Sequence, residues 1–288
     1  MDVIRRVPSM KEWSRKARER GKRVGFVPTM GALHEGHLEL VRRVRQLSDL
    51  VVVSIFVNPT QFGPNEDLAS YPRDLPADVD LCIREGVDVV FAPEPEDLYP
   101  AGSVTFVDVF ELSSRLEGES RPGHFRGVAT VVLKLLNAVD PHVVAFGQKD
   151  AQQVIVVRRM LQDLMADVEM LVVPIVRDAD GVALSSRNVR LSPEERKAAR
   201  AIPKALEAAE AAVSAGEKDA AKVVRAAQAV LEQDPMLRVD YVALVDTDKL
   251  EPVTRIEGET LLALAVYAGA VRLIDNVLLG KRAVSGRG

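Results

Sequence analysis

The sequence predicts an α/β protein: a parallel sheet with helices on both faces, followed by a smaller α+β domain. Three observations lead there. Apolar runs of strand length alternate with helix-length patterns as far as Val173, the rhythm of strand, crossover helix and parallel strand. Those runs are continuously apolar, as strands are when both sheet faces are covered. After Pro174 the pattern changes to Ala-rich helical stretches followed by two strand-like runs, which marks a second module. At 288 residues and 47% apolar content, the chain can fill one large core or two smaller ones.

In chain order, Ser9 followed by Glu12 reads as a capping box opening an amphipathic helix, whose basic excess is a solvated face rather than an RNA-binding arm. Strands are expected at 24–27, 50–57, 87–91, 143–146 and 168–173, with crossover helices at 37–47, 75–85, 128–139 and 151–165. A polar loop then leads into Ser192-Pro193-Glu194-Glu195, a helix start with Ser as cap, Pro in the first turn and acids beside it. Helices at 193–215 and 220–233 and strands at 239–245 and 261–267 complete the second module. The boundary is placed between residues 1–177 and 178–288. The apolar run at 128–136 suits either core or a subunit interface.

Composition excludes several classes. Thirty-eight Lys and Arg against 42 Asp and Glu leave a net charge of −4, too balanced for general attraction to nucleic acid. A single cysteine, Cys82, rules out an internal disulfide or a multi-thiolate zinc site and suits a reducing cytoplasm. No apolar stretch reaches the length of a signal-peptide core at the amino end or of a membrane span elsewhere, so neither export nor a membrane partner is expected.

The strand at 24–27 runs directly into Pro28-Thr29-Met30-Gly31-Ala32-Leu33-His34-Glu35-Gly36-His37 and then a helix. Ligands of α/β sheets bind at such carboxyl-terminal strand edges. Gly31 permits a tight turn, Gly36 removes a side chain where a flat ring could approach, and free N–H groups of the new helix are expected to face an anion. His34 and His37, three residues apart, project to one side, so both imidazoles can donate to one phosphate chain. A zinc-protease reading fails on spacing, because that motif places its histidines at i and i+4, whereas HEGH places them at i and i+3. Gly147-Gln148-Lys149-Asp150 follows another apolar strand, and Lys149 there offers a compact positive charge to phosphate oxygens. Asp150 also suits a cap on the next helix.

PTMGALHEGH resembles the HxGH form of the nucleotide-binding signature of the nucleotidylyltransferase superfamily, shared with class I aminoacyl-tRNA synthetases. Five further segments in order, VSIFVNPTQF, YPRD, RPGHFRGVATVV, FGQKDAQQ and DGVALSSRN, resemble the pantoate–β-alanine ligase (pantothenate synthetase) family. The likeness runs from Val24 to beyond Asn188 and is weaker in the carboxyl-terminal module. It implies a Rossmann-like sheet domain for nucleotide and pantoate with a carboxyl-terminal lid, and the AMP-forming ligation of pantoate and β-alanine through a pantoyl adenylate. ATP is then a substrate, Mg²⁺ arrives mainly with it rather than in a protein cage, no protein metal ligand is assigned, and the chain forms a homodimer.

Carried over residue by residue, the resemblance gives Met30, Gly31, Ala32, Leu33, His34, Glu35, Gly36 and His37 to ATP, with His37 as catalytic proton donor and His34 assisting. Gly147, Gln148, Lys149 and Asp150 are a second ATP contact, Lys149 catalytic. Gln61 and Gln153 hold pantoate, and Gln61 also touches β-alanine; such amides offer donors and acceptors without fixing a charge. Val176 lies by the adenine or ribose, and Leu184, Ser185, Ser186 and Arg187 correspond in place to the mobile lysine-rich loop of the synthetases. Arg187 stands where those lysines would be. Asn58, Asp78, Arg121 and His124 stay unassigned. Asn58 at a strand end suits orienting the pantoate pocket, and Asp78 either assists magnesium or, as its place on the helix favours, is a solvated helix acid. Arg121 and His124 in RPGHFRG resemble a family segment that borders the pocket, but a loop packed on the following helix explains them as well, and His142 reads as structural. The alternatives are another small-molecule adenylyltransferase, which the two glutamines oppose, and a non-catalytic nucleotide-binding module, which His34, His37 and Lys149 oppose.

Overall fold

The computed structural model describes residues 1–64, 66 and 68–280. The chain divides into two compact units, one of residues 1–148 and 152–176, the other of residues 149–151 and 177 onward.

The first unit contains β1 (Asp2–Ile4), α1 (Val7–Glu19), β2 (Val24–Thr29), α2 (Glu35–Arg45), β3 (Leu50–Ile55), α3 (Leu75–Arg84), β4 (Val89–Phe91), the single turns α4 (Pro95–Leu98) and α5 (Glu117–Ser120), α6 (His124–Val139), β5 (Val143–Gly147), α7 (Ala151–Asp163) and β6 (Glu169–Val173). Its six strands are all parallel, in the order β1-β4-β3-β2-β5-β6. Starting at β2, the chain builds outward through β3 and β4 and later returns to build β5 and β6 on the other side. The switch point therefore lies between β2 and β5, where open α/β sheets bind ligands.

Continuous apolar strands are explained by what covers them. Leu40, Val41 and Val44 of α2 pack with Val27, Val51, Val53, Val90 and Ala145, joined by Cys82 of α3. The helices α1 and α6 contact each other and β2. Phe26 of β2 is fully buried, paired with Val52 of β3 and Val144 of β5, and burial of one such side chain contributes ~1.5–3 kcal/mol. The run at 128–136, open to either reading from sequence, is almost wholly buried on α6.

Several boundaries move. The first helix begins at Val7 with Arg6 as its cap residue and Pro8 in the first turn, so Ser9 lies inside it and the expected capping box is absent. The strand β1 went unrecognised because only three residues pair, and Val3 is exposed at the sheet edge. In the second unit, the expected helix at 193–215 is two, α8 (Pro193–Ala199) and α9 (Ala201–Ser214), which meet at Arg200 just before Pro203. A proline cannot donate to the preceding turn. The α8 start is as read: Ser192 accepts from Glu195 N–H, and the Glu195 carboxylate accepts from Ser192 N–H.

The helix α10 (Ala220–Leu231) and an antiparallel sheet of β7 (Leu237–Asp246), β8 (Thr260–Ala268) and β9 (Val271–Leu279) complete this unit. Its core joins Ile202 and Leu206 to Val223, Leu231, Leu262 and Leu264. The strand β9 was not expected, because Arg272, Asp275 and Asn276 interrupt its apolar pattern.

Candidate functional site

The turn after β2 is where the structure departs most from expectation. Gly31 and Ala32 both take left-handed backbone, with φ of 82° and 49°. Successive N–H groups in such a turn converge on an anion. The anion is the protein's own: Asp78 of α3 accepts from Ala32 N–H at 3.0 Å and Leu33 N–H at 2.8 Å. A side chain at 31 could not be accommodated, since its Cβ would stand 2.8 Å from Asp78 Oδ2. Asp78 is 3% exposed, so it is no solvated helix acid, and burial raises its pKa above the ordinary carboxyl value.

Other backbone donors of this segment are also engaged. Gly31 N–H donates to Thr29 Oγ1, His34 N–H to His37 Nδ1 at 3.3 Å, Gly36 N–H to His34 Nδ1 at 3.2 Å, and His37 N–H to His34 O. The free helix N–H groups expected to face an anion are thus largely spent. The two histidines form a reciprocal capping box at the start of α2, with His34 as cap and ring centroids 4.1 Å apart. Because each Nδ1 accepts, each neutral ring carries its proton on Nε2. Donor capacity has moved from backbone to imidazole. Glu35 is exposed and pairs with Arg42.

Gln61 lies beside this turn. It is 8% exposed, donates from Nε2 to Met30 Sδ at 3.0 Å and accepts at Oε1 from Asn58 Nδ2 at 3.0 Å. Asn58 is buried and also donates to Gly127 O, while its Oδ1 accepts from Thr60 and Tyr99 hydroxyls. Met30 and Gln61, far apart in sequence, are therefore direct neighbours.

Gly147 ends β5, and Gln148–Asp150 form a 3-10 turn leading into α7. Lys149 is partly buried, with Nζ 3.5 Å from Asp150 Oδ1; its carbonyl accepts from Asn276 Nδ2 at 2.9 Å. Gln153 is half-buried on the first turn of α7. Gln152, next to it, is structural: its amide donates to Leu112 O and Arg115 O and accepts from Glu117 N–H.

In the second unit, Arg177 and Ala183 pair as a bridge around Gly181, and Arg196 of α8 clasps Asp178 and Asp180 at 2.7–2.8 Å. The Arg196 guanidinium holds the Asp180 carboxyl below its usual pKa. Leu184, Ser185, Ser186 and Arg187 continue from this braced hairpin; Arg187 N–H donates to Ser185 Oγ, and Asn188 Nδ2 donates to Ala183 O. Val176 is partly exposed at the end of the first unit. His142 is structural as read, its Nδ1 accepting from Val24 N–H at 3.0 Å. Sequence reading missed Asp78 as a brace, because no local pattern marks a partner forty-odd residues away; Asn58, weighed as orienting the pantoate pocket but left unassigned, is the hub of the Gln61 contacts. Among the described residues, no group of three or more His, Cys, Asp or Glu could hold a metal ion.

Comparison with known proteins agrees across nearly the whole chain. Residues 2–278 match the family model described as Pantoate-beta-alanine ligase. Pantothenate synthetases of Pelotomaculum thermopropionicum and Thermotoga neapolitana are 53% and 54% identical, over 98% and 97% of this chain and 100% of each relative. A crystal structure of pantothenate synthetase from Thermus thermophilus superposes with a TM-score of 0.90 at 45% identity, covering 96% of this chain and 99% of that one. A pantoate-beta-alanine ligase from Francisella tularensis, complexed with beta-gamma ATP and beta-alanine, gives 0.78 at 33% identity, covering 96% and 97%.

Proposed function

The chain belongs to the pantoate-beta-alanine ligase family, whose ATP-dependent reaction joins pantoate and β-alanine, and we propose that His37, His34 and Lys149 carry the chemistry on it. Pantoate attacks the α-phosphorus of ATP and releases pyrophosphate; β-alanine then attacks the acyl carbon of the pantoyl adenylate, releasing AMP. A carboxylate resists amines because oxide leaves poorly, whereas AMP leaves readily from a mixed anhydride.

The observation that carries the assignment is the histidine pair, whose reciprocal Nδ1 bonds leave Nε2–H as the donor on each ring. As charge moves onto the departing pyrophosphate, preorganised donors bind it more strongly than they bind ground-state ATP. His37 acts as principal donor with His34 beside it, and Lys149 adds a point charge. Met30, Gly31, Ala32, Leu33, Glu35 and Gly36 shape the nucleotide turn, with Gly147, Gln148, Asp150 and Val176 as further ATP contacts. Leu184, Ser185, Ser186 and Arg187 act on the phosphates and exclude water from the adenylate. Gln61 and Gln153 hold pantoate, and Gln61 also β-alanine; the contact of Gln61 with Met30 supports this, since it sets the amide next to the nucleotide turn.

Magnesium enters with ATP. The donor set fits that arrangement: Asp78 is a buried carboxylate whose two oxygens already accept backbone N–H groups, so Mg²⁺ would be held by phosphate oxygens and water. When bound, it neutralises phosphate charge. Among the described residues, no helix is long and apolar enough to cross a membrane; the protein works in the cytoplasm as a homodimer, and exposed Val104, Phe106 and Phe110 supply apolar surface for a second copy.

Exchange of labelled pyrophosphate into ATP, with pantoate present and β-alanine absent, tests the reading. Exchange is expected. Exchange only with a different acid would reject the substrate, and no exchange with any acid would favour a binding module.

A further inference from the structure

A glutamine that must hold a small hydroxy acid has three torsions to fix, which costs up to ~2 kcal/mol if the fixing happens only on binding. In this structure the backbone of Gln61 is pinned from α6. The 3-10 turn Pro59–Gln61 presents its last carbonyl to His124, whose Nδ1 lies 2.8 Å from Gln61 O. On the other side of the ring, His124 Nε2 lies 3.2 Å from Arg121 Nη1. A guanidinium can only donate, so Nε2 accepts, the proton sits on Nδ1, and the ring donates to Gln61 O. Arg121 is itself fixed by Glu66, with Nε 2.8 Å and Nη2 2.5 Å from its two oxygens. One turn further along α6, a Cβ on Gly127 would stand 2.4 Å from Thr60 O, so helix and turn meet backbone to backbone.

We propose that His124, held in one tautomer by Arg121, is a positioning residue that fixes the backbone from which Gln61 reaches pantoate. The inference rests on Gln61 as the pantoate amide. It gives RPGHFRG a task that packing against α6 alone does not require: the order Glu66, Arg121, His124, Gln61 runs from a half-buried ion pair to the carbonyl of the binding residue. Burial, and then the Arg121 charge, push the His124 pKa down to about 4, so the ring stays neutral near pH 7 and keeps this donor arrangement. Its role is geometric, not proton transfer.

The test is steady-state kinetics on His124→Leu, His124→Asn, Gln61→Ala and the double variant Gln61→Ala/His124→Leu. His124→Leu should raise KM for pantoate about tenfold while KM for ATP stays within about twofold, because a displaced amide loses pantoate directly, whereas the backbone of the nucleotide turn is held by Asp78. His124→Asn places an amide N–H near the Nδ1 position and should restore KM to within about threefold of wild type. In the Gln61→Ala background, His124→Leu should add nothing to KM for pantoate. Equal rises for ATP and pantoate, an unchanged pantoate KM, or full additivity would overturn the proposal. If Gln61→Ala itself leaves KM for pantoate unmoved, the reading of Gln61 falls first; a normal response of Gln61→Ala beside an inert His124→Leu sinks positioning alone. Should His124→Leu fail to fold, Arg121→Gln serves: it frees the ring's tautomer and must raise KM for pantoate in the same direction, and no change overturns the proposal.

Discussion

A carboxylate buried against two backbone N–H groups sets the turn that carries both histidines. Asp78 costs the fold a desolvated charge, visible in its raised pKa, and repays it by holding left-handed Ala32, a conformation that side chains with a Cβ resist. Asp78→Asn retains one acceptor oxygen but presents an NH₂ to the other N–H. Stability should fall by ~1–3 kcal/mol in denaturant titration, with KM for ATP raised more than KM for β-alanine. Unchanged stability would mean that the turn holds itself. His34 and His37 were legible as residues because the spacing stands out in the sequence. Their tautomers were not, since these depend on which backbone N–H each Nδ1 meets.

At the scale of elements, the sheet was readable wherever a strand is covered on both faces. Apolar runs marked β2, β3 and β5, and the helices between them followed from pattern length. Two edge strands, β1 and β9, escaped, although the edge strands β6 and β7 were marked. Only three residues of β1 pair, and β9 carries Asp275, which is 2% exposed and is met by Arg177 at 2.6 and 3.1 Å. A buried acid with a distant partner cannot be told from a solvated one along a sequence. The same limit hid Asp78. The break between α8 and α9 was foreshadowed by Pro203, but Ala-rich sequence on both sides outweighed it. The hairpin braced by Arg196 read as a plain polar loop, because its clasp comes from α8.

For the whole molecule, stability should depend on two neutral histidines. His124 is pushed down to about 4 by burial and then by Arg121, with Glu66 and Glu117 partly opposing; His142 is lowered by burial and then by Arg18 and Arg23, with Asp140 and Asp167 opposing. Both rings have folded pKa values below the unfolded value of about 6.5. Below that pH the unfolded chain takes up protons that the folded chain refuses. Stability therefore falls as pH drops from about 6.5 toward 4, by up to ~1.4 kcal/mol per pH unit for one such ring. Denaturant midpoints at pH 7 and pH 5 should show the drop, and His124→Asn should make it smaller; an identical drop in that variant would assign it elsewhere. The most direct test of the account is single-turnover formation of pantoyl adenylate from ATP and pantoate, without β-alanine, in wild type and His37→Ala. A fall of about 10² to 10³ in rate, with ATP affinity nearly retained, is the result predicted for a lost donor to the departing pyrophosphate. A variant keeping more than about a tenth of the wild-type rate would contradict it.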